Sequence, residues 1–502
     1  MKILFCCSEA YPLAKTGGLG DVGGALPRAL LKQGVQVKLV LPGYSVALAN
    51  AKPNGLKLLN ELEILGETVR IWQSRLAGSR VTVWFIDHKT FSSREGGLYG
   101  DELGVDWHDN AWRFYVYCKV AELIACNEAG LDWKADVVHC HDWQTGLIPA
   151  LLNEREHRPK TVFTIHNLAY RGLFDQATFH ALQLPTHWWH HESVEFWGEF
   201  SYLKAGLVYS DRVTTVSPSY AQEIQTPDFG CGLEGVLEQR KRHLTGIVNG
   251  IDDKVWNPGT DTHLSCHYNR RSLSKKQLNK TALQKELGLA TTPDTLLLGF
   301  IGRLVEQKGL AILIPALEQF LAQTDAQFVA LGSGQQEYET ALLELAAKFP
   351  QQVKIYIGYD EGVSHRIEAG VDVFLMPSLF EPCGLNQMYS QRYGTLPLCH
   401  YVGGLRDTVV NLSDSQLEGY TQGSLGVDNI DETGFLFCDA TATSLLATLN
   451  KAYICYQNTP LWTKMQKNGM AQDFSWGVSS QRYVDLYESL LKENDSQIRV
   501  AG

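Results

Sequence analysis

Lys15-Thr16-Gly17-Gly18-Leu19-Gly20-Asp21-Val22-Gly23-Gly24 follows the first apolar run, Ile3 to Cys7, and precedes an amphipathic segment carrying Leu26, Leu30 and Leu31. That placement predicts a strand, a loop and the start of a helix. Glycines let backbone N–H groups approach a ligand, a helix N-terminus favours anionic oxygens, and Lys15 adds a mobile positive charge. The stretch reads either as a cradle for a phosphorylated ligand or as a glycine-rich connection between strand and helix. Gly18 to Gly23 also satisfies the G-x-G-x-x-G pattern of dinucleotide-binding folds. That fingerprint needs its glycines directly after the first strand and an acidic residue about 20 positions later. Here Ser8 to Gly17 intervenes, and the second apolar run, Val35 to Leu41, ends in Pro42-Gly43-Tyr44 without a carboxylate. A nicotinamide role is therefore discounted, and the loop is expected to be a flap that covers a ligand.

Working outward, short apolar runs alternate with helical stretches. In the first half the expected strands are Ile3–Cys7, Val35–Leu41, Val81–Ile86, Asp136–His139, Thr161–His166 and Arg212–Val216. Amphipathic stretches such as Trp112–Cys126 and Phe200–Tyr209 lie between them. Such alternation predicts a parallel sheet with helices on both faces. The pattern breaks at Asn249-Gly250 and Trp256-Asn257-Pro258-Gly259, and a basic stretch from Asn269 to Lys285 follows. It then restarts with Leu296–Ile301, Phe328–Leu331, Val353–Ile357, Val373–Met376, Leu396–Cys399 and Phe435–Phe437. The expected division is 1–250, 251–475 and a terminal helical segment, 476–502. Two doubly wound domains facing each other place a ligand in the cleft at the carboxyl ends of their strands.

The 502 residues exceed one ordinary core, which agrees with two domains. A net charge of −11 argues against a general affinity for nucleic acid or an anionic membrane. No leader-like segment and no long apolar run appear, and the eleven cysteines form no C-x-x-C pair. A cytoplasmic, reducing setting is expected, with Cys6 and Cys7 buried as thiols.

Candidate chemistry sits at strand ends. Arg303 and Lys308 lie in Gly302-Arg303-Leu304-Val305-Glu306-Gln307-Lys308-Gly309, after Leu296–Ile301. A planar guanidinium beside a compact ammonium suits a diphosphate, although a solvated loop would also carry such charges. Ser378-Leu379-Phe380-Glu381-Pro382-Cys383-Gly384-Leu385-Asn386 follows the strand ending at Met376. There Glu381 can accept from sugar hydroxyls or merely cap a helix, and Cys383 has no adjoining His to make it a nucleophile. His166-Asn167 and His139-Cys140-His141-Asp142-Trp143 close two neighbouring strands. Alternation along a strand lets His139 and His141 converge without Cys140, which weakens a metal reading. The cluster His187 to Glu192 is explained as well by a packed loop as by a metal.

Taken together, these stretches resemble the bacterial glycogen synthases and plant starch synthases, retaining glucosyltransferases of the GT-B fold. The resemblance covers almost the whole chain. Its landmarks are Lys15 to Leu19, His141-Asp142-Trp143, His166-Asn167-Leu168-Ala169-Tyr170 and Val248-Asn249-Gly250. It continues through Arg303 with Lys308, Ile357-Gly358-Tyr359, Phe380 to Leu385, Gly403-Gly404-Leu405 and Phe474-Ser475-Trp476. The resemblance implies transfer of glucose from ADP-glucose to the non-reducing end of an α-1,4-glucan. Arg303 and Lys308 would steady the leaving ADP, and the loop of Lys15, Gly17, Gly18 and Asp21 would close on the nucleotide sugar. Tyr359 would lie beside the adenine, and Glu381 with Cys383, Gly384 and Leu385 would bind glucose and phosphate. His166, Asn167 and Asn249 would contact glucose near the reacting carbon, with Asp142 and Tyr99 on the acceptor side. The final helix would pack on the N-terminal domain. No D-x-D carboxylate pair follows an expected strand, so the cations are expected to replace a metal and no cofactor is expected.

Overall fold

The computed structural model describes residues 1–102, 104–426 and 430–500. The chain forms two compact units, one of Met1–Gly250 with Trp476–Gly502 and the other of Ile251–Ser475. Among the described residues no helix is long and apolar enough to cross a membrane.

The first unit contains β1 (Lys2–Cys6), β2 (Gln36–Pro42), β3 (Lys57–Ile64), β4 (Glu67–Arg75), β5 (Thr82–Asp87), β6 (Val137–His141) and β7 (Lys160–Ile165). After β7 come the short strands β8 (Leu173–Phe174), β9 (Glu195–Phe196) and β10 (Glu199–Ser201), then β11 (Arg212–Thr215) and β12 (Leu244–Gly246). Nine of these strands make one sheet in the order β12-β11-β7-β6-β1-β2-β5-β4-β3. The order steps outward from β1 in both directions, the doubly wound pattern. The sheet is not wholly parallel, which corrects the expectation: β4 pairs antiparallel with both β3 and β5. On β3, Leu58, Leu59, Leu62 and Ile64 are interleaved with Lys57, Asn60, Glu61 and Glu63. An edge strand needs no continuous apolar run, so it left no such signal.

The helix α1 (Gly18–Lys32) begins inside the opening glycine stretch rather than after it. Its glycines answer to packing. A Cβ on Gly23 would lie 2.1 Å from the Glu9 carbonyl oxygen, and one on Gly24 would lie 2.4 Å from that of Tyr11. Only glycine lets α1 sit so tightly on the Ser8–Lys15 segment.

The second unit is a six-stranded parallel sheet of β13 (Leu297–Ile301), β14 (Gln327–Gly332), β15 (Val353–Ile357), β16 (Val373–Met376), β17 (Leu396–His400) and β18 (Phe435–Phe437). Its order is β15-β14-β13-β16-β17-β18. Neighbouring strand residues point to opposite faces. Thus Leu298, Phe328, Ala330, Val373 and Leu375 fill one core, while Leu297, Val329, Leu331, Phe374 and Met376 fill another.

The basic stretch gains a structural role here. It forms α2 (Lys276–Glu286), whose Lys276 and Lys280 are buried. Lys280 Nζ donates to Asp372 Oδ2 and to the Thr295 carbonyl, each at 2.6 Å. Lys276 Nζ donates to the Ala369 carbonyl and to Thr395 Oγ1, each at 2.7 Å. The later helices used below are α3 (Leu310–Leu321), α4 (Asn386–Arg392) and α5 (Trp476–Val500). Tyr483, Tyr487 and Leu490 of α5 join the core of the first unit.

Candidate active site

In the first unit the candidate groups gather at the carboxyl ends of β1, β6 and β7. The loop after β1 is folded around a carboxylate that sequence reasoning passed over, that of Glu9. Thr16 N and Thr16 Oγ1 each donate to it at 2.6 Å, and Gly17 N donates at 3.1 Å. Tyr99 OH donates at 2.7 Å to its Oε1. The cradle that the glycine stretch suggested therefore already holds an internal anion at its first two amides. The signal was Ser8-Glu9 at the end of the first apolar run, where it marked only the end of a strand. Lys15 Nζ pairs with Asp21 at 2.7 Å across the first turn of α1. Gly17 and Gly18 are exposed, and a Cβ on either would meet nothing within 4 Å. Packing within the chain does not call for glycine there.

Asp142 follows β6 with φ 57°, a left-handed conformation that non-glycine residues seldom hold. The strain turns its carboxylate onto the start of the next strand-end loop, where Oδ1 accepts from His166 N at 2.7 Å. Burial pushes the Asp142 carboxyl up to about 7; the N–H groups of His166 and Asn167 oppose the rise, and the Glu9 charge adds to it. Asn167 Oδ1 accepts from Ala169 N at 3.0 Å, which closes the turn. His166 Nε2 lies 2.9 Å from His141 Nδ1, and burial lowers His166 to about 3, so the ring is neutral. His139 and His141 do converge, with ring centroids 4.1 Å apart. They form part of a buried hydrogen-bonded cluster, since His139 meets Tyr487 OH and Thr164 Oγ1, each at 2.6 Å. Asn249 is buried after β12, and its Oδ1 has no hydrogen-bond partner.

In the second unit the candidate groups lie after β13, β15 and β16, all on the carboxyl edge of the sheet. After β13 the chain turns through Arg303 and a single 3-10 turn, Glu306–Lys308, before α3. Gly309, at φ 70°, lets this turn press on the loop after β16, because a Cβ there would lie 1.9 Å from the Pro377 carbonyl oxygen. Gln307 ties the loops further: its carbonyl accepts from Leu379 N at 2.8 Å, and its Nε2 donates to the Phe380 carbonyl at 3.1 Å. This packing brings Lys308 Nζ to 2.5 Å from Glu381 Oε2. Ser378 Oγ donates to the same oxygen at 2.9 Å. Both bonds fall on Oε2, which leaves Oε1 for a ligand.

Arg303 is exposed and makes no side-chain hydrogen bond or ion pair among the described residues. Cys383 is buried, and its carbonyl accepts from Gln387 Nε2 at 3.0 Å. Gly384 holds φ 71° and, with Leu385, leads into α4. Tyr359 follows Gly358 after β15 and is 75 % exposed. A buried carboxylate fixing an ammonium, with an unpaired guanidinium on the same loop, can hold a diphosphate and a sugar hydroxyl together.

Among the described residues His190, His191 and Glu192 bring three metal-ligating atoms within 4.8 Å of one another, but all three residues are exposed.

Comparison with known proteins places the whole chain in one family. The profile described as "Starch synthase catalytic domain" matches residues 2–239, and that of "Glycosyl transferases group 1" matches residues 280–458. The chain is 52% identical to a glycogen synthase of Cellvibrio japonicus, over 97% of this chain and 99% of that protein. It is 47% identical to glycogen synthase 1 of Methylococcus capsulatus, over 98% and 97% respectively. Among solved structures, the catalytic domain of starch synthase IV from Arabidopsis thaliana, bound to ADP and acarbose, superposes with a TM-score of 0.84. The identity is 31%, covering 98% of this chain and 99% of that one.

Proposed function

The chain belongs to the glycogen synthase and starch synthase family of GT-B glycosyltransferases, and from that premise we propose that it transfers glucose from ADP-glucose to the non-reducing end of an α-1,4-glucan, retaining the anomeric configuration. The observation that carries this reading is the Lys308–Glu381 pair beside the unpaired Arg303. Departure of ADP develops negative charge on the diphosphate, and cations already in place stabilise the transition state more than the ground state. Arg303 supplies two parallel N–H donors to phosphate oxygens. Lys308, held by Glu381, turns its remaining N–H groups to the same anion, while Glu381 Oε1 accepts from a glucose hydroxyl.

By the family resemblance, His166, Asn167 and Asn249 are assigned to sugar contacts, and Asp142 and Tyr99 to the acceptor. The buried Asn249 Oδ1 lacks a partner that a sugar hydroxyl would provide. The open space at Gly17 and Gly18 supports an approach of phosphate to the free amides at the start of α1. Lys15 joins the donor by exchanging Asp21 for phosphate.

Retention in hydrolases uses two carboxylates about 5 Å apart. Glu381 is engaged by Lys308, so the reading here is a front-face displacement in which the leaving phosphate takes the proton of the incoming hydroxyl. No metal or cofactor takes part, because Arg303 and Lys308 carry out the charge stabilisation.

The test is incorporation of glucose into glycogen from ADP-glucose and, separately, from UDP-glucose. The reading expects transfer from ADP-glucose, released again by an α-1,4-specific amylase. Preference for UDP-glucose, or glucan binding with no ADP release, would overturn it.

A further inference from the structure

The His166 imidazole is held by a second imidazole whose surroundings decide which nitrogen carries the proton. His141 ends β6 and is fully buried, with its Nδ1 2.9 Å from His166 Nε2. Its other nitrogen, Nε2, is buried with no hydrogen-bond partner. The rings nearest to it offer no acceptor. Phe5 lies 4.2 Å away between centroids, and His139 at 4.1 Å has both nitrogens committed to Tyr487 OH and Thr164 Oγ1. Burial keeps all three histidines neutral, since it lowers His139 and His166 to about 3 and His141 well below its usual value.

Two neutral imidazoles sharing one hydrogen bond have one donor between them. If His166 donated, the His141 proton would sit on Nε2, an N–H buried without an acceptor. Leaving a buried donor unmet costs about 1–3 kcal/mol, and orphaned N–H groups are the rarer kind of unmet group. If His141 donates from Nδ1, only a lone pair at Nε2 goes unmatched.

We propose that His141 is a positioning residue that donates its Nδ1–H to His166 Nε2, so that His166 carries its own proton on Nδ1 and meets the substrate as a hydrogen-bond donor. The proposal rests on the reading of His166 as a glucose contact. It sharpens that reading, because a nitrogen that bears a proton donates to a glucosyl hydroxyl oxygen and takes no proton from the acceptor. The acceptor proton is left to the departing phosphate.

The test uses the full chain with isotope-labelled histidines. Nitrogen–proton correlation spectra distinguish the two tautomers, and the His166 signals are identified by their loss in His166→Gln. The expected result is the Nδ1–H form of His166 at neutral pH without substrate. His141→Asn places an amide N–H where Nδ1 stood, and keeps both that tautomer and kcat near those of the unmodified chain. His141→Phe removes the donor, mixes the tautomers and lowers kcat about tenfold or more, the usual effect of losing the group that orients a functional imidazole. An Nε2–H His166 in the unmodified chain overturns the proposal. So does a His141→Phe chain with unchanged tautomer and kcat. Because the spectra need neither substrate nor turnover, a failed donor assay and a wrong tautomer remain separate results.

Discussion

At the scale of single residues, Asp142 carries a definite pH signature. Its carboxyl is raised to about 7 chiefly by burial, so the folded chain holds that proton more tightly than the unfolded one. The stability this contributes is fully present below the ordinary carboxylate range, near pH 4, and is lost as pH rises through about 7. Asp142→Asn keeps an oxygen for the His166 N–H but cannot ionise. Urea unfolding at pH 5 and pH 8 should show the unmodified chain losing about 2–3 kcal/mol more stability than the variant, since the window covers about two pH units below the raised value of about 7. Parallel losses would show that Asp142 is not held protonated. The candidate residues themselves were legible because they stand at strand ends in recognisable stretches. The partner that organises each was less so. Glu9 sits seven residues from Thr16, and His141 lies 25 residues from His166, so neither contact leaves a local pattern. The histidine pair arises only when parallel strands bring separate strand ends to one edge, and the Glu9 contact only when its own loop folds back on itself.

At the scale of elements, the opening stretch, which looked ligand-directed, serves packing in part, and the basic stretch, which suggested no role, serves packing as well. Within the opening stretch, Gly23 and Gly24 admit the backbone of Glu9 and Tyr11, while only Gly17 and Gly18 face open space. The sequence pattern is the same for both uses, since a glycine that admits a ligand and one that admits a backbone look alike. The lysines of α2 gave a basic stretch without a role, and two of them are buried anchors. Lys280→Met leaves Asp372 as a buried charge without its counter-ion, with the Leu297 N–H at 2.9 Å and the Tyr456 hydroxyl among its remaining donors. Chemical unfolding should show a loss of about 3–5 kcal/mol. The double variant Lys280→Met with Asp372→Asn should recover a large part of it, and additivity of the two changes would contradict the pairing. Strand existence followed from apolar runs wherever a strand is buried on both faces, as in β6 and β14. It failed for β3 and β4, whose half-exposed hairpin spreads its apolar residues among charged ones.

At the scale of the whole molecule, the chain passes between its units twice, and the two passages lie side by side. Ile251 pairs with Ser475, and a Cβ on Gly250 would lie 2.6 Å from Trp476 Cα. The Asn-Gly turn signal marked the first passage; the second carries no break in composition and was legible only through Phe474-Ser475-Trp476. Each unit is complete in its own core, and each offers its candidate groups at the carboxyl ends of parallel strands, which is where open α/β sheets bind ligands. The central claim is that Arg303 and Lys308 stabilise the departing ADP without a metal ion. The most direct measurement is the initial rate of glucose transfer from ADP-glucose to glycogen in the presence of a chelator, for the unmodified chain and for Arg303→Ala. The account predicts an undiminished rate for the unmodified chain and a loss of about 10²–10³ in kcat for the variant, which should unfold at the same midpoint. A rate that collapses with the chelator and returns with a divalent cation, or an Arg303→Ala chain that transfers glucose at the unmodified rate, would contradict it.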